Sequence, residues 1–275
     1  MTLLAGPAQV APVLADYHLV RDLGEGNNGR FYLARPPARL GIEDAHVAVK
    51  VFAGHCTADA FRRGTRELRA FAAVDSPYLA VIYDAALENG FLYAMEYFPL
   101  GSLAAPTHSL DRDQVLLAVE HAARAADALH EAGLAHGDIK PGNVMVHDSG
   151  GKLSDLGLAR MLSAGVNLTS MAPETSIEFL DPRLLHGDPP SRSTDIWAIG
   201  ATLHRALSGT GLYGDLPAGQ PLLSIRKLQS TAPVVNPSLT ASEAELIHAC
   251  LDSIDRRPTT ALKIAERIAA LRNQR

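Results

Sequence analysis

The sequence predicts an α+β fold, in which a small β-rich N-terminal part carrying one helix precedes a larger α-helical part. Three features of its 275 residues predict this. Short runs rich in Val, Tyr and Phe, bounded by turn residues, fill the first third. One stretch among them carries its apolar residues at helical spacing. Beyond residue 111 one segment after another does so.

The expected strands are, in order, "YHLVRDL" (17–23), "RFYLARP" (30–36), "HVAVKVF" (46–52), "LAVIYDAAL" (79–87) and "FLYAMEYF" (91–98). The helix that interrupts them is "ADAFRRGTRELRAFAAV" (58–74), with Phe61, Leu68, Phe71 and Ala72 at near-helical spacing. After "PLGSL" (99–103) the character changes. The segment 112–133 is a long helix with Val115, Leu116, Val119, Ala123, Ala126 and Leu129 as its apolar stripe and Gly133 as its C-cap. Further helices are expected at 194–208, 241–251 and 258–273, with Pro258 in the first turn of the last, where a missing N–H costs nothing.

With 47 % hydrophobic and 20 % charged residues, the chain has an ordinary globular balance. Its net charge of −5 offers no basic surface to nucleic acid or an anionic membrane. Two cysteines, Cys56 and Cys250, exclude a disulfide framework and fit a reducing, cytoplasmic compartment. Residues 1–16 lack the basic start of a signal peptide and contain Pro7 and Pro12, so a loose N-terminal arm is expected there. No apolar run approaches the roughly 20 residues that cross a bilayer.

Three stretches carry chemistry. "LGEGNNGRFYLA" places Gly24, Gly26 and Gly29 between two expected strands. They serve a hairpin turn, or a lid whose bare backbone N–H groups approach phosphate oxygens. No helix follows them, so this is neither a dinucleotide fingerprint nor a P-loop. Lys50 is the central residue of the apolar strand "VAVKVF", and a Lys buried there needs an anion, supplied by Glu67 or by ATP phosphates. In "HGDIKPGN", Pro141 and Gly142 forbid a regular helix, so Asp138, Lys140 and Asn143 sit on an ordered loop. In extended chain Asp138 and Lys140 point the same way. The acid can accept a hydroxyl proton, the Lys can neutralise a phosphoryl group and the Asn can ligate Mg²⁺; the bland alternative is a surface Asx-turn. Asp155 follows twelve residues after Asn143, across "VMVHDSGGKLS", which reads as a hairpin that brings the two together. Two such oxygen ligands suit Mg²⁺.

Taken together and in this order, these motifs resemble the bacterial, eukaryotic-like Ser/Thr protein kinases. The likeness runs from about Tyr17 to the C-terminus. It implies a bilobal fold, with an N-lobe at 17–98 holding one regulatory helix and a C-lobe at 99–275. It implies ATP and Mg²⁺ as cofactors and Ser/Thr hydroxyls of proteins as acceptors. Gly24, Gly26 and Gly29 would cover the phosphates, and Lys50, paired with Glu67, would hold the α- and β-phosphates. Asp138 would orient the hydroxyl and accept its proton, Lys140 would stabilise the γ-phosphate, and Asn143 and Asp155 would bind Mg²⁺. Met95 would be the gatekeeper, with Glu96 and Phe98 offering backbone to adenine. Leu23, Phe31, Ala48 and Met145 would sandwich the purine. "STDIWAIG" (193–200) matches the helix whose Asp, here Asp195, braces the catalytic loop. Rival readings are a non-catalytic, kinase-like ATP-binding scaffold and a small-molecule phosphotransferase.

The chain departs from that pattern at several points. Gly137 stands where many kinases have an Arg that receives an activation-segment phosphate, so activity without such phosphorylation is expected. Leu156 replaces a Phe of similar apolar character. "MAPE" (171–174) lies too far from Asp195 for the usual Ala-Pro-Glu, and "TSIEFLDPRLL" fits that place better. Ser176 then takes the position of the hydroxyl residue that bridges the catalytic Asp and Lys, and Arg183 replaces a Glu that in relatives pairs with an Arg at the position of Arg257. Two arginines cannot pair, so Arg183 is expected to turn outward or find another acid. Thr169, Ser170 and Thr175 are candidate self-phosphorylation sites by location. The histidines, His121 and His130 among them, show no metal spacing and read as surface or packing residues; His136 is expected to pack against the helix of Asp195.

Overall fold

A computed structural model describes residues 13–26, 29–43, 45–52, 58–87, 90–155 and 177–273. The expected α+β order is what it has: strands first, helices after. The chain divides into two compact units, one of Met1–Thr57 with Ile82–Tyr97, the other of Ala58–Val81 with Phe98–Arg275.

The smaller unit is a six-stranded antiparallel sheet in the order β1-β2-β3-β4-β6-β5. Its strands are β1 (Val13–Leu14), β2 (Tyr17–Gly26), β3 (Gly29–Arg35), β4 (Val47–Phe52), β5 (Ile82–Leu87) and β6 (Phe91–Glu96). Within the stretch expected as a loose arm, Val13 and Leu14 therefore pair with His18 and Tyr17. β4 lies between β3 and β6, and alternation sorts its side chains. Val47 and Val49 join a fully buried cluster with Tyr17, Ala34, Leu92 and Ala94, while Ala48, Lys50 and Phe52 face the other way. The hydroxyl of Tyr17 donates to Asp84 Oδ2 at 2.8 Å, and Arg39 donates to the same oxygen at 2.6 Å and to Asp16 at 2.8 Å. These bonds tie the β1–β2 turn to β5.

The larger unit holds α1 (Ala58–Ala72), α2 (Arg112–Glu131), α3 (Pro182–Leu185), α4 (Arg192–Ser208), α5 (Pro221–Ser230), α6 (Ala241–Leu251) and α7 (Ala261–Arg272). A four-stranded sheet of β10 (Gly150–Leu153), β9 (Val144–His147), β7 (Gly101–Ser102) and β8 (Ala105–Pro106), in that order, lies among them. Helix α1, which the sequence groups with the strands, falls in this unit. Its Phe71 ring meets that of His136 edge-on at 6.5 Å. The strand expected from residue 79 begins at Ile82, because Tyr78 and Ala80 bond to Leu153 of β10 instead. Capping boxes start α2 (Asp111 with Gln114), α4 (Ser191 with Thr194) and α6 (Thr240 with Glu243). Pro258 precedes α7 rather than opening it; Thr260 is the N-cap and accepts from Lys263 N. The alanines of α2 let β10 approach closely: a Cβ on Gly151 would stand 2.9 Å from the Ala118 backbone.

α4 also buries His204, which is fully inaccessible. Its Nε2 accepts from Asn236 N at 3.0 Å, so the ring is held neutral. Burial first, and the charge of Arg205 second, push its pKa down to about 4. The unfolded chain takes that proton near the ordinary value of 6.5. Between these two values the unfolded state binds more protons, so stability falls as pH falls, by up to about 3 kcal/mol from this group. Urea unfolding should show a midpoint that drops between pH 6.5 and 4, and His204→Gln should flatten that slope. An equal slope in the variant would exclude His204 as its source.

Candidate active site

Helix α2 ends at Glu131, and Gly133, at φ +76°, turns the chain out of it. The chain then runs without regular structure to Lys140, which is extended, and closes in a single 3₁₀ turn, Pro141–Asn143, with Pro141 at a position that needs no N–H. The hairpin β9–β10 follows, with Val144 opposite Leu153. That register brings Asn143 beside Ser154, whose N–H donates to Asn143 O at 2.9 Å and whose hydroxyl donates to it at 3.2 Å.

The three residues expected to act together in this loop converge on one another. Lys140 Nζ donates to Asp138 Oδ2 at 2.9 Å. Asn143 Nδ2 donates to the same oxygen at 3.0 Å and to Asp138 O at 2.7 Å. Asn143 thus commits its NH₂ to Asp138, which leaves its amide oxygen as the acceptor a cation would meet. Asp155 is reached from Asn143 Nδ2 through its backbone oxygen at 3.5 Å. It sits at φ +60°, a left-handed conformation that strains a non-glycine residue and that persists where the surroundings dictate it. The Lys140 side chain is 7 % exposed and that of Asp138 20 %, so the acid is the more open of the pair.

The loop hangs from α4. Asp195 is 1 % exposed and accepts three hydrogen bonds: His136 N at 2.7 Å and His130 Nε2 at 2.8 Å on Oδ2, and Gly137 N at 2.8 Å on Oδ1. Gly137 takes φ +75°, where any side chain costs about 1–2 kcal/mol. A Cβ there would also stand 3.3 Å from Pro190. His136 is buried; its backbone N–H meets Asp195 of the helix it is expected to pack on, while its ring faces Phe71 and Ser154. Its Nε2 donates to Ser154 O at 3.1 Å and its Nδ1 accepts from Asp138 N at 3.3 Å. That pattern needs the neutral ring, and burial lowers its pKa accordingly. His136 therefore bridges the loop to the hairpin and is no base.

Two residues of this site are not apparent from the sequence. His130, expected as a surface or packing residue, is a buried partner of Asp195. Its helical position is legible, but nothing in the spacing tells what meets it. The second is Asp181. Arg183 does turn outward, onto Asp188 at 2.6 Å. Arg257 pairs instead with Asp181, 2.5 Å away and 1 % exposed. An acid two residues before Arg183 is the signal the sequence offers. Ser176, Leu156, "MAPE" and the candidate self-phosphorylation sites lie outside the described residues.

The residues expected to meet the nucleotide divide between the units. In the smaller, Gly24 (φ +107°) bends β2, and β2 and β3 pair as far as Gly26 opposite Gly29. This is the hairpin geometry; the tip, residues 27–28, lies outside the described residues. Phe31 stands opposite Lys50, and Ala48 opposite Met95, so all four share one face of the sheet. Lys50 is 4 % exposed on this central strand, with Nζ 4.8 Å from the centre of the Phe31 ring and 5.2 Å from that of Phe52. This excludes a snorkelling edge lysine. Leu23 is half-buried near the end of that hairpin, and Glu96 ends β6. In the larger unit Phe98 is buried, Met145 lies on β9 opposite Lys152 and Glu67 is half-buried on α1.

The family model of the protein kinase domain matches residues 17–267, and the chain belongs to that family. It is 28 % identical over 97 % of its length to the serine/threonine-protein kinase PknJ of Mycobacterium bovis, covering 47 % of that protein. It is 27 % identical over 84 % of its length to the serine/threonine-protein kinase PrkC of Bacillus subtilis, covering 36 % of it. To the serine/threonine-protein kinase PknA of Mycobacterium tuberculosis it is 29 % identical over 86 % of its length, covering 56 %. The chain thus spans about half the length of these relatives, or less. No described helix is long and apolar enough to cross a membrane.

Proposed function

We propose that the chain transfers the γ-phosphoryl group of ATP, with Mg²⁺, to Ser and Thr hydroxyls of proteins, and that it does so without phosphorylation of its activation segment. The observation that carries this reading is the convergence of Lys140 and Asn143 on Asp138. Asp138 orients the acceptor hydroxyl and takes its proton. Lys140, already charge-paired beside it, neutralises the charge that develops on the transferring group. Asn143 Oδ1 and the Asp155 carboxylate form the hard-oxygen set that fits Mg²⁺, an ion satisfied by one or two protein carboxylates with water and phosphate. When bound, the ion supplies charge neutralisation at the phosphates.

In the same reading Lys50, paired with Glu67, holds the α- and β-phosphates under Gly24, Gly26 and Gly29. Leu23, Phe31, Ala48 and Met145 enclose the purine beside Met95, and Glu96 and Phe98 offer it backbone groups. Independence from phosphorylation rests on Gly137, which has no side chain to receive a phosphate and whose backbone already serves Asp195. A cytoplasmic site of action, supported by the free buried thiol of Cys250, belongs to this reading.

The test is transfer from Mg·ATP to a generic protein substrate, with the intact mass of the chain recorded alongside, before and after phosphatase treatment. Transfer should survive the phosphatase and vanish in Lys50→Ala. Transfer that the phosphatase abolishes would overturn the independence. ATP binding without transfer to protein or to the chain itself would favour the scaffold, and transfer to an aminoglycoside alone the small-molecule enzyme.

A further inference from the structure

Asp181 and Arg257 form a buried ion pair. The side chain of Arg257 is 5 % exposed and that of Asp181 1 %. Arg257 Nη1 donates to Asp181 Oδ2 at 2.5 Å, Ser193 O at 2.9 Å and Ser193 Oγ at 3.1 Å. Its Nε donates to Asp252 O at 2.8 Å, and its guanidinium lies 5.1 Å from the centre of the Trp197 ring. Asp181 also caps α3, since its Oδ1 accepts from Arg183 N at 3.0 Å. Among the described residues, the polar contacts of this guanidinium thus refer the segment around Asp181 to the first turn of α4 or to the chain just before Arg257.

That same first turn carries Asp195, which holds the backbone of the catalytic loop at His136 and Gly137. Ser193 and Asp195 are two residues apart on one helix. The segment and the loop are therefore registered against the same turn of α4. They also meet directly: Phe179, Leu180 and Leu184 line a small pocket together with Gly137, Asp138 and Asp195.

We propose that Asp181 is a positioning residue for phosphoryl transfer. Through Arg257 and Ser193 it sets the distance between the segment that docks the protein substrate and the carboxylate of Asp138. The substrate side of this inference rests on the function proposed above. Position 183 supplies no acid for this task, being an arginine that pairs with the half-exposed Asp188. Asp181 supplies it from inside the fold.

Asp181→Asn separates this role from capping, because Asn caps a helix as well as Asp does and keeps the shape, while the charge is lost. Hydrogen exchange read by mass spectrometry should show faster exchange in peptides covering 177–187, with α2 and α6 unchanged. With a generic protein substrate, kcat/KM should fall on the order of 100-fold, the loss expected for a displacement of about 1 Å. The fall should lie in the protein substrate, with the KM for ATP unchanged; a general loss of fold would move both. Asp181→Asn combined with Arg257→Gln should recover part of the exchange protection, because no buried charge is left alone. If Asp181→Asn fails to fold, Arg257→Lys, which keeps the charge and loses the planar fork, should give a milder change of the same kind. Wild-type exchange at 177–187 with wild-type KM for the protein substrate would overturn the proposal. A wild-type chain that transfers no phosphate would sink the functional reading, and the exchange arm would still decide whether Asp181 holds the segment.

Discussion

Asp138→Ala is expected to lower phosphoryl transfer on the order of 10³-fold with the fold intact. The carboxylate receives Lys140 Nζ at 2.9 Å and Asn143 Nδ2 at 3.0 Å, so both neighbours are aimed at the atom that would take the hydroxyl proton. Removing it takes away the proton acceptor and lets Asn143 and Lys140 relax from their geometry. A structural penalty accompanies this: Asp138 is the more open member of its pair, at 20 % side-chain exposure, but its partner Lys140 is buried at 7 %, and breaking a pair so placed costs up to about 3–5 kcal/mol. Asp138→Asn makes the sharper comparison. It keeps the size and one acceptor oxygen and loses only the charge and basicity, so it should be nearly as inactive and still closer to wild type in stability. Initial rates of transfer from ATP, read beside thermal unfolding and nucleotide binding, decide the matter. A variant that kept more than a tenth of wild-type transfer would remove Asp138 from the chemistry.

How far the site is legible in the sequence depends on how local its determinants are. Pro141 and Gly142 dictate the loop from within, so the chain order alone groups Asp138, Lys140 and Asn143. The hairpin that brings Asp155 back to Asn143 is set by a short strand, a turn at Asp148 and Ser149 and another strand, and it too is legible. The buried partners are not. Asp195 is placed only through family likeness, and His130 only as one more residue on a long helix. Their meeting is a matter of two helices from distant parts of the chain. The pairing of Arg257 with Asp181 is hidden for the same reason. A charge count shows that Arg183 cannot serve Arg257, but not which acid does. Helix α1 illustrates the limit for domains: its own pattern says helix, but not that it falls in the larger unit, where its Phe71 ring meets that of His136. Gly137 changes meaning most. In sequence it is a missing arginine; in the fold it is a left-handed residue whose N–H is one of the three bonds to Asp195.

Asp195→Ala should damage stability and activity together. The carboxylate is 1 % exposed and accepts from His136 N, Gly137 N and His130 Nε2, two of them backbone donors that no water reaches easily. An alanine orphans all three. Each buried donor left unsatisfied costs about 1–3 kcal/mol, and breaking a buried charged network about 3–5 kcal/mol in all. Against a total stability of about 5–15 kcal/mol this is a large fraction. For a chain of this size it corresponds to a fall in Tm on the order of 10 °C. The catalytic loss has a separate cause, because it would persist at temperatures where the variant is fully folded. With its two N–H tethers released, the loop from His136 to Asp138 is no longer pinned to α4, and Asp138 samples positions away from Lys140 and Asn143. Asp195→Asn tests the division. Its amide keeps one acceptor and turns the other position into a donor facing a donor, so it should lose part of the stability and most of the registration. Thermal unfolding and transfer rates measured at about 15 °C below each variant's Tm separate the two effects. If Asp195→Ala were fully active whenever folded, the carboxylate would be a stability element alone, and the geometry of Asp138 would have to be set by its own loop.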